Sequence, residues 1–417
     1  MSWRAITSGA GRTRSKSCGI CVRIRPGTSR TTVPATAVGI RRRAIPLAAG
    51  ANRPARHFVP RAHTFALYGL LALSGCVGIP PGDDPPDRTS SLACRHVVPP
   101  DALVRWVEPD GRRDRDALAR WCDTVGPVLL QPLASQSAAP VIDRLAVMTW
   151  NVHVGSGDVA DVFRRLRAGE FTGGAPVEHF VLLLQEAYRR DTAVPAQIPR
   201  GFPAPSRIAA RIGRGLDISH TAKDLGVALF YVPSMRNGIA SVDPEDRGNA
   251  ILSTLDLHDP VVVELPMENQ RRAAVVATVQ AQARDGSPWL LRVANVHLDT
   301  SLAITRGGPF AARSRQAHAL IDSLRTPADI PTVLAGDFNT WWGPTEPALN
   351  ILRSAFPQTP RSVNTKTWTG PLGLHAQLDY IFLRGPLTPA VVQRLPSRFG
   401  SDHYPLLAIV SPSPPPT

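Results

Sequence analysis

The chain has 417 residues, 43% of them hydrophobic, which exceeds one ordinary domain and is enough for a sizeable core. Its formal charge of +14 points toward a polyanionic partner, but 13 of the 47 Lys and Arg lie in residues 1–76, which hold no Asp or Glu, leaving 34 basic against all 33 acidic groups beyond. The remaining chain is nearly neutral and offers no excess of positive charge for tight polynucleotide binding.

Residues 1–58 are Arg-rich, acid-free and without apolar periodicity, and are expected to be a disordered basic extension or a misassigned start, since the next methionine after Met1 is Met148. Cys18 and Cys21 form a lone C-x-x-C, two ligands short of a zinc site. Residues 59–76 read as an export leader: FALYGLLALSG follows Arg61 and His63, has the length of a signal-peptide apolar region, and is too short to span a bilayer comfortably. Its ending, Leu73-Ser74-Gly75-Cys76, resembles a bacterial lipobox, which makes Cys76 the expected lipidation site and places the protein in the cell envelope, at the outer membrane or the periplasmic face. Residues 77–93, rich in Pro, Gly and Asp, are expected to be a flexible tether. Residues 94–140 form a small structural segment in which Cys94 and Cys122 are candidates for one disulfide, and 413–417 is a tail.

From residue 141 to 412 the pattern is regular. Apolar runs at 145–150, 180–184, 227–232, 250–252, 273–279, 289–296, 332–335, 378–383 and 405–410 have strand lengths, while 159–168, 311–324 and 345–356 have helical periodicity. Many strands with few helices predict an α/β fold of two packed, mainly antiparallel sheets flanked by helices. No G-x-G-x-x-G or P-loop follows any strand, which removes support for a nucleotide-cofactor fold.

Polar residues gather where these runs end: Asn151 in WNVH, Glu186 in LLLQE, Asn249 in GNAILS, His297 in NVHLD, Asp337 and Asn339 in GDFN, Asp379 in LDYIF, and Asp402 and His403 in SDH. Singly, each is explained by a cap, a turn or a satisfied core polar group. Together, Asp, Glu, Asn and His at burial-prone positions match the donor set of a hard-cation hydrolytic site.

The ordered motifs resemble those of the endonuclease/exonuclease/phosphatase superfamily, whose fold is the four-layer DNase I-like α/β sandwich, over about residues 145 to 410. The resemblance implies a phosphate-ester hydrolase in which Glu186, Asn151 and Asp402 hold Mg²⁺, or Mn²⁺. It implies that Asp337 orients or deprotonates the attacking water, that Asn339 binds the phosphate, and that His403 is held by Asp379 while His297 assists at the leaving group or phosphate. Asn249 matches a site-lining position; Arg306 and Trp341 are candidate substrate contacts, and Arg313 a candidate grip for a second phosphate. The sequence departs from WNxD-like members in carrying His153 two residues after Asn151, which weakens a DNA-repair reading. Substrates left open are nucleic acid, a phospholipid head group or a small phosphoester, acted on by a monomer with a lipid anchor on Cys76. The alternative is a catalytically inactive lipoprotein binding module on the same fold.

Overall fold

The computed structural model describes residues 93–133, 139–199, 202, 217–238, 244–301, 307–325, 330–359, 366–387 and 392–411. The basic extension, the leader with Cys76, nearly all of the tether, Arg306 and the tail lie outside these residues. In chain order the strands are β1 (Val97–Val98), β2 (Arg105–Val107), β3 (Val128–Gln131), β4 (Leu145–Asn151), β5 (Phe180–Arg190), β6 (Ala228–Arg236), β7 (Glu245–Ser253) and β8 (Leu257–Glu264). They continue with β9 (Ala273–Gln282), β10 (Pro288–His297), β11 (Thr332–Asp337), β12 (Trp368–Thr369), β13 (His375–Ala376), β14 (Asp379–Arg384), β15 (Val392–Arg394) and β16 (Leu406–Val410). Helices are α1 (Arg112–Cys122), α2 (Val159–Arg167), α3 (Ile218–Leu225), α4 (Ala311–Leu324) and α5 (Pro347–Ala355).

One sheet has the order β1-β3-β6-β7-β5-β4-β16-β15 and the other β14-β11-β10-β9-β8-β2, with β12 and β13 forming a separate hairpin. Strand alternation sorts the side chains into layers. In β4, Leu145 and Val147 enter the core between the sheets, whereas Ala146, Met148 and Trp150 join Val159, Val162, Phe163 and Leu166 of α2 on the outer face. In β11, Val333 and Ala335 face the first sheet, and Leu334 packs with Leu320 of α4 and Leu349 of α5. The result is helix, sheet, sheet, helix, the sandwich expected from the strand pattern.

Local chemistry explains the elements. α2 starts where the Asp158 side chain accepts the Asp161 N–H, and it buries positions spaced three and four apart. α3, missed in the sequence reading, is capped by Asp217 and ends at Gly226 in the left-handed region. β8 escaped notice because Pro260 and a bulge between His258 and Val261 interrupt its period. No break separates residues 94–140 from the sandwich: β1 and β3 extend one sheet and β2 borders the other.

Cys94 and Cys122 form a disulfide that closes a 28-residue separation around α1, and pack with Leu118 and Val125 in a small cluster outside the main core. Because a cross-link of this span removes unfolded-state freedom, Cys94→Ala/Cys122→Ala should lower stability by about 3 kcal/mol, read as the midpoint of urea unfolding. An unchanged midpoint would show that this segment does not unfold with the sandwich.

Candidate active site

At one end of the sandwich the inter-sheet core turns polar. His297, Asp337 and Asp379 are register partners across β10, β11 and β14, so the three form a single row. They have the parity of Val293, Val333 and Ile381, and therefore point between the sheets. Asn151 and Gln185 are the last register pair between β4 and β5. Gly336 permits this assembly, because a Cβ there would lie 1.8 Å from the Val296 carbonyl oxygen.

Beneath the row the sheets are stitched together by amides. Gln185 Nε2 donates to Asn295 Oδ1 at 2.6 Å, and Asn295 Nδ2 donates to the carbonyls of Leu184 and Ala250. Asn249, read from sequence as lining the substrate site, turns its Nδ2 to the Ala273 carbonyl at 2.8 Å, a further sheet-to-sheet bond. These contacts hold the rows at a fixed separation.

Asp337 Oδ2 is the convergence point. Asn151 Nδ2 donates to it at 3.0 Å, while His297 Nε2 lies 3.5 Å and His403 Nε2 3.7 Å away. Asp337 Oδ1 accepts the Asn339 N–H at 2.9 Å, and Asn339, at φ 50°, donates its side-chain amide to the Leu298 carbonyl. His403 Nδ1 donates to Asp379 Oδ2 at 2.8 Å; Thr367 Oγ1 in turn accepts the N–H of Leu378 and of Asp379. Ser401, buried and donating to the Asn151 carbonyl at 2.6 Å, is a clamp for this loop, not a nucleophile.

The row divides its charge unevenly. Burial pushes the Asp337 carboxyl up, to about 6, from an ordinary 3.8. Burial alone would lower the His403 imidazole, but the carboxylates of Asp379 and Asp337 more than offset it and hold it at about 10. His297 is driven the other way: burial, reinforced by the charges of Arg272, His403 and Arg247, keeps it well below 6.5 and hence neutral. One imidazole is a proton carrier and the other a free base.

Glu186 sits at a bulge in β5, at φ 52°, a conformation that costs on the order of 1–3 kcal/mol for a side-chain-bearing residue and recurs at functional sites. Its Oε2 is buried without a hydrogen-bond donor, and its charged neighbour is Arg247, at 3.5 Å. Asp402 lies apart in its bonding: its oxygens face His153 Nδ1 at 3.2 Å and Trp368 Nε1 at 3.0 Å. Burial would raise Asp402, yet the hydrogen bond from His153 and the charge of His403 hold it well below the usual carboxylate range, and the same bond raises His153.

Two groups are candidates to hold a cation. Asp337, Asp379 and His403 present ligand-type atoms within 4.8 Å of one another. A protonated imidazole opposes a cation there, however, and Asp379 is already committed to it. The second group is Glu186, whose Oε2 accepts no hydrogen bond and faces Arg247 at 3.5 Å, with Asn151, the register partner of the adjacent Gln185. Asp402, expected with them from sequence, has its oxygens facing His153 and Trp368.

The sequence reading overlooked Arg247 and Arg272. Both bear on His297, and burial lowers the Arg272 guanidinium despite the nearby Asp299, Glu186 and Asp337. Arg247 lies two residues before Asn249 in the GNAILS motif, the one clue available. Arg313 is corrected: it is wholly buried in the first turn of α4, where Nε donates to Glu346 Oε2 at 2.8 Å, so it grips no substrate. Trp341 is 37% exposed and packs edge-on against Trp368 with ring centroids 4.9 Å apart.

A sequence profile of the Endonuclease/Exonuclease/phosphatase family matches residues 148–403, and the chain belongs to that family, whose members hydrolyse phosphoester bonds. No curated protein matches the chain in sequence. Among solved structures it is similar to an endonuclease/exonuclease/phosphatase from Beutenbergia cavernae, with 20% identity, 65% of this chain and 72% of that chain covered, and a TM-score of 0.46. It is similar also to the human Nocturnin catalytic domain with bound sulfate anion (20%, 65% and 97%, 0.40) and to a family protein from Leptotrichia buccalis (14%, 64% and 99%, 0.43).

Asp379→Asn should release the His403 proton at a pH far below about 10, because the carboxylate that most favours the charged imidazole is gone. Ring-nitrogen NMR shifts followed against pH will read this directly. The sign carries to stability: a raised imidazole pKa stabilises the fold fully below 6.5, and that contribution fades as pH rises through about 10. An unchanged titration in the variant would remove Asp379 from its positioning role.

Proposed function

We propose that this protein is a magnesium-dependent hydrolase of phosphate esters, exported and held at the bacterial cell envelope by a lipid on Cys76. The observation that carries the catalytic reading is the row His297, Asp337, Asp379 with His403 over it: one buried carboxylate between a neutral and a cationic imidazole. The completeness of that row supports an active enzyme over the inactive binding-module alternative.

The chain's own groups have distinct tasks. Asp337, held by Asn151 and by the Asn339 N–H, orients the attacking water and takes its proton once anionic. His403, kept protonated and in one orientation by Asp379, donates to a phosphoryl oxygen, where negative charge accumulates. His297, neutral, assists at the phosphate or the departing oxygen. Glu186 and Asn151 would hold Mg²⁺ or Mn²⁺, which when bound supplies Lewis-acid polarisation of the phosphate. No covalent enzyme intermediate is required.

Hydrolysis of plasmid DNA, sphingomyelin and small phosphomonoesters in Mg²⁺ or EDTA tests the activity. Glu186→Gln should cut turnover by about 10²–10³-fold, roughly 3–4 kcal/mol of barrier, with circular dichroism unchanged. The rate should rise as pH climbs through about 6, where Asp337 loses its proton, and fall through about 10, where His403 does. Full activity of folded Glu186→Gln in EDTA would sink the metal-dependent reading.

Export is supported by the short apolar run before Cys76 and by the Cys94–Cys122 disulfide, which suits an oxidising compartment. Among the described residues no helix is long and apolar enough to cross a membrane. Mass spectrometry of the mature protein should find an acylated cysteine at residue 76 as its first residue. An unlipidated chain beginning at Met1 is the contrary result.

A further inference from the structure

Around the mouth of the site, apolar side chains stand in water. Leu372 is completely exposed, Leu374 is 61%, Trp342 49% and Trp341 37% exposed, and these are half of the large hydrophobic residues found exposed among the described residues. They form one rim. Phe310 packs edge-on against Trp342, and Trp341 against Trp368. Trp368 opens the β12–β13 hairpin whose turn carries both leucines, and the Gly370 N–H donates to the Leu374 carbonyl at 2.8 Å.

The rim is fastened to the catalytic residues. Trp368 Nε1 donates to Asp402 Oδ2, the Thr369 N–H donates to the Asp402 carbonyl, and Trp368 bridges to His403. At the outermost point, the Leu374 N–H donates to the Pro371 carbonyl around Leu372 at φ 56° and Gly373 at φ 75°. Two successive left-handed residues make a turn in which Asn or Gly is favoured at the first position. Leucine there is unfavourable twice, through its backbone conformation and through its exposure, so water is the wrong surrounding for it.

We infer that this rim is a lipid-docking surface: Trp341, Trp342 and the Leu372/Leu374 turn enter the interface of a phospholipid bilayer and bring its head-group phosphoesters to the site. This deepens the function proposed above and rests on it for the chemistry. Tryptophan and leucine at a protruding tip match the polar-apolar boundary of a bilayer, and the exposed Lys366 at the base of the hairpin suits lipid phosphates. A nucleobase platform fits less well, since leucine presents no π face and the chain beyond residue 76 is nearly neutral. The chain outside the structure agrees. The proposed anchor at Cys76 precedes Ala93 by 17 residues, a reach of up to about 60 Å, against a breadth of about 50 Å for a domain of this size. The anchor thus keeps the domain near a bilayer while permitting the rim to face it.

The test uses the full chain with Cys76→Ser, so that no acyl group contributes, and phosphatidylcholine vesicles with and without brominated acyl chains. Tryptophan fluorescence should be quenched by the brominated lipid. Leu372→Asp/Leu374→Asp should lower vesicle partitioning by roughly tenfold or more, while hydrolysis of soluble bis(p-nitrophenyl) phosphate stays within about twofold of the parent. Equal partitioning of parent and variant, or absence of quenching, overturns the docking surface. Quenching by a single-stranded oligonucleotide with vesicles inert also overturns it, and assigns the rim to bases. The soluble ester separates the two proposals: its hydrolysis without vesicle binding defeats only the docking surface, and vesicle binding without its hydrolysis defeats only the enzymatic reading.

Discussion

A carboxylate buried between two sheets cannot be left uncompensated, and most of the polar architecture of this protein answers to Asp337. Desolvation of an isolated carboxylate would neutralise it. Here Asn151 from the opposite sheet, the Asn339 N–H and the charge of His403 oppose that, and the carboxyl remains ionisable near neutrality. Each compensating group needs its own support, supplied by Asp379 for His403 and by the Leu298 carbonyl for Asn339. The amide contacts between Gln185 and Asn295 keep the two sheets in register so that Asn151 reaches its partner. Local rules at single strand ends thereby become one constraint on the whole end of the sandwich.

Elsewhere, buried ion pairs do structural work of another kind. Arg189 reaches Asp246, which also accepts the Tyr231 hydroxyl at 2.7 Å and the Gly126 N–H at 2.9 Å, so one carboxylate joins β5, β6 and the segment before β3. Arg271 and Glu264 secure the β8–β9 connection, and Arg313 with Glu346 ties α4 to the start of α5. Removing one partner of such a pair costs about 3–5 kcal/mol, since a bare charge is left inside. These pairs surround the catalytic end and hold the loops that frame it.

What could be read from sequence follows from range. Apolar runs of strand length exposed the long strands, and helical spacing located α2, α4 and α5, because both are local properties of the chain. Short edge strands such as β1, β2 and β15 carry too few residues for a period to show. The row of His297, Asp337 and Asp379 was legible as three polar interruptions of apolar runs, but their alignment depends on strand register, which no local pattern states. Arg313 illustrates the opposite failure: an arginine at the end of a polar, glycine-rich stretch looks solvated, and only its long-range partner Glu346 makes it a core residue. Two contacts of Asp402 are equally long-range: His153 and Trp368, far away in sequence, face its two oxygens.

The division of protons across the site comes from sheet order. Proceeding from β14 through β11 to β10, the last row reads Asp379, Asp337, His297, and Arg272 immediately precedes the next strand, β9. An imidazole against the Asp379 end meets two carboxylates and retains its proton; an imidazole toward the Arg272 end meets cations and gives its proton up. Histidine suits both places because its ordinary pKa lies between these extremes, so moderate fields decide its state. Displacement at a phosphate needs a proton taken from the nucleophile and charge neutralised on the phosphoryl oxygens. On the proposed reading, Asp337 serves the first need and His403 the second, and neither assignment could be exchanged without reversing the order of strands that sets their fields.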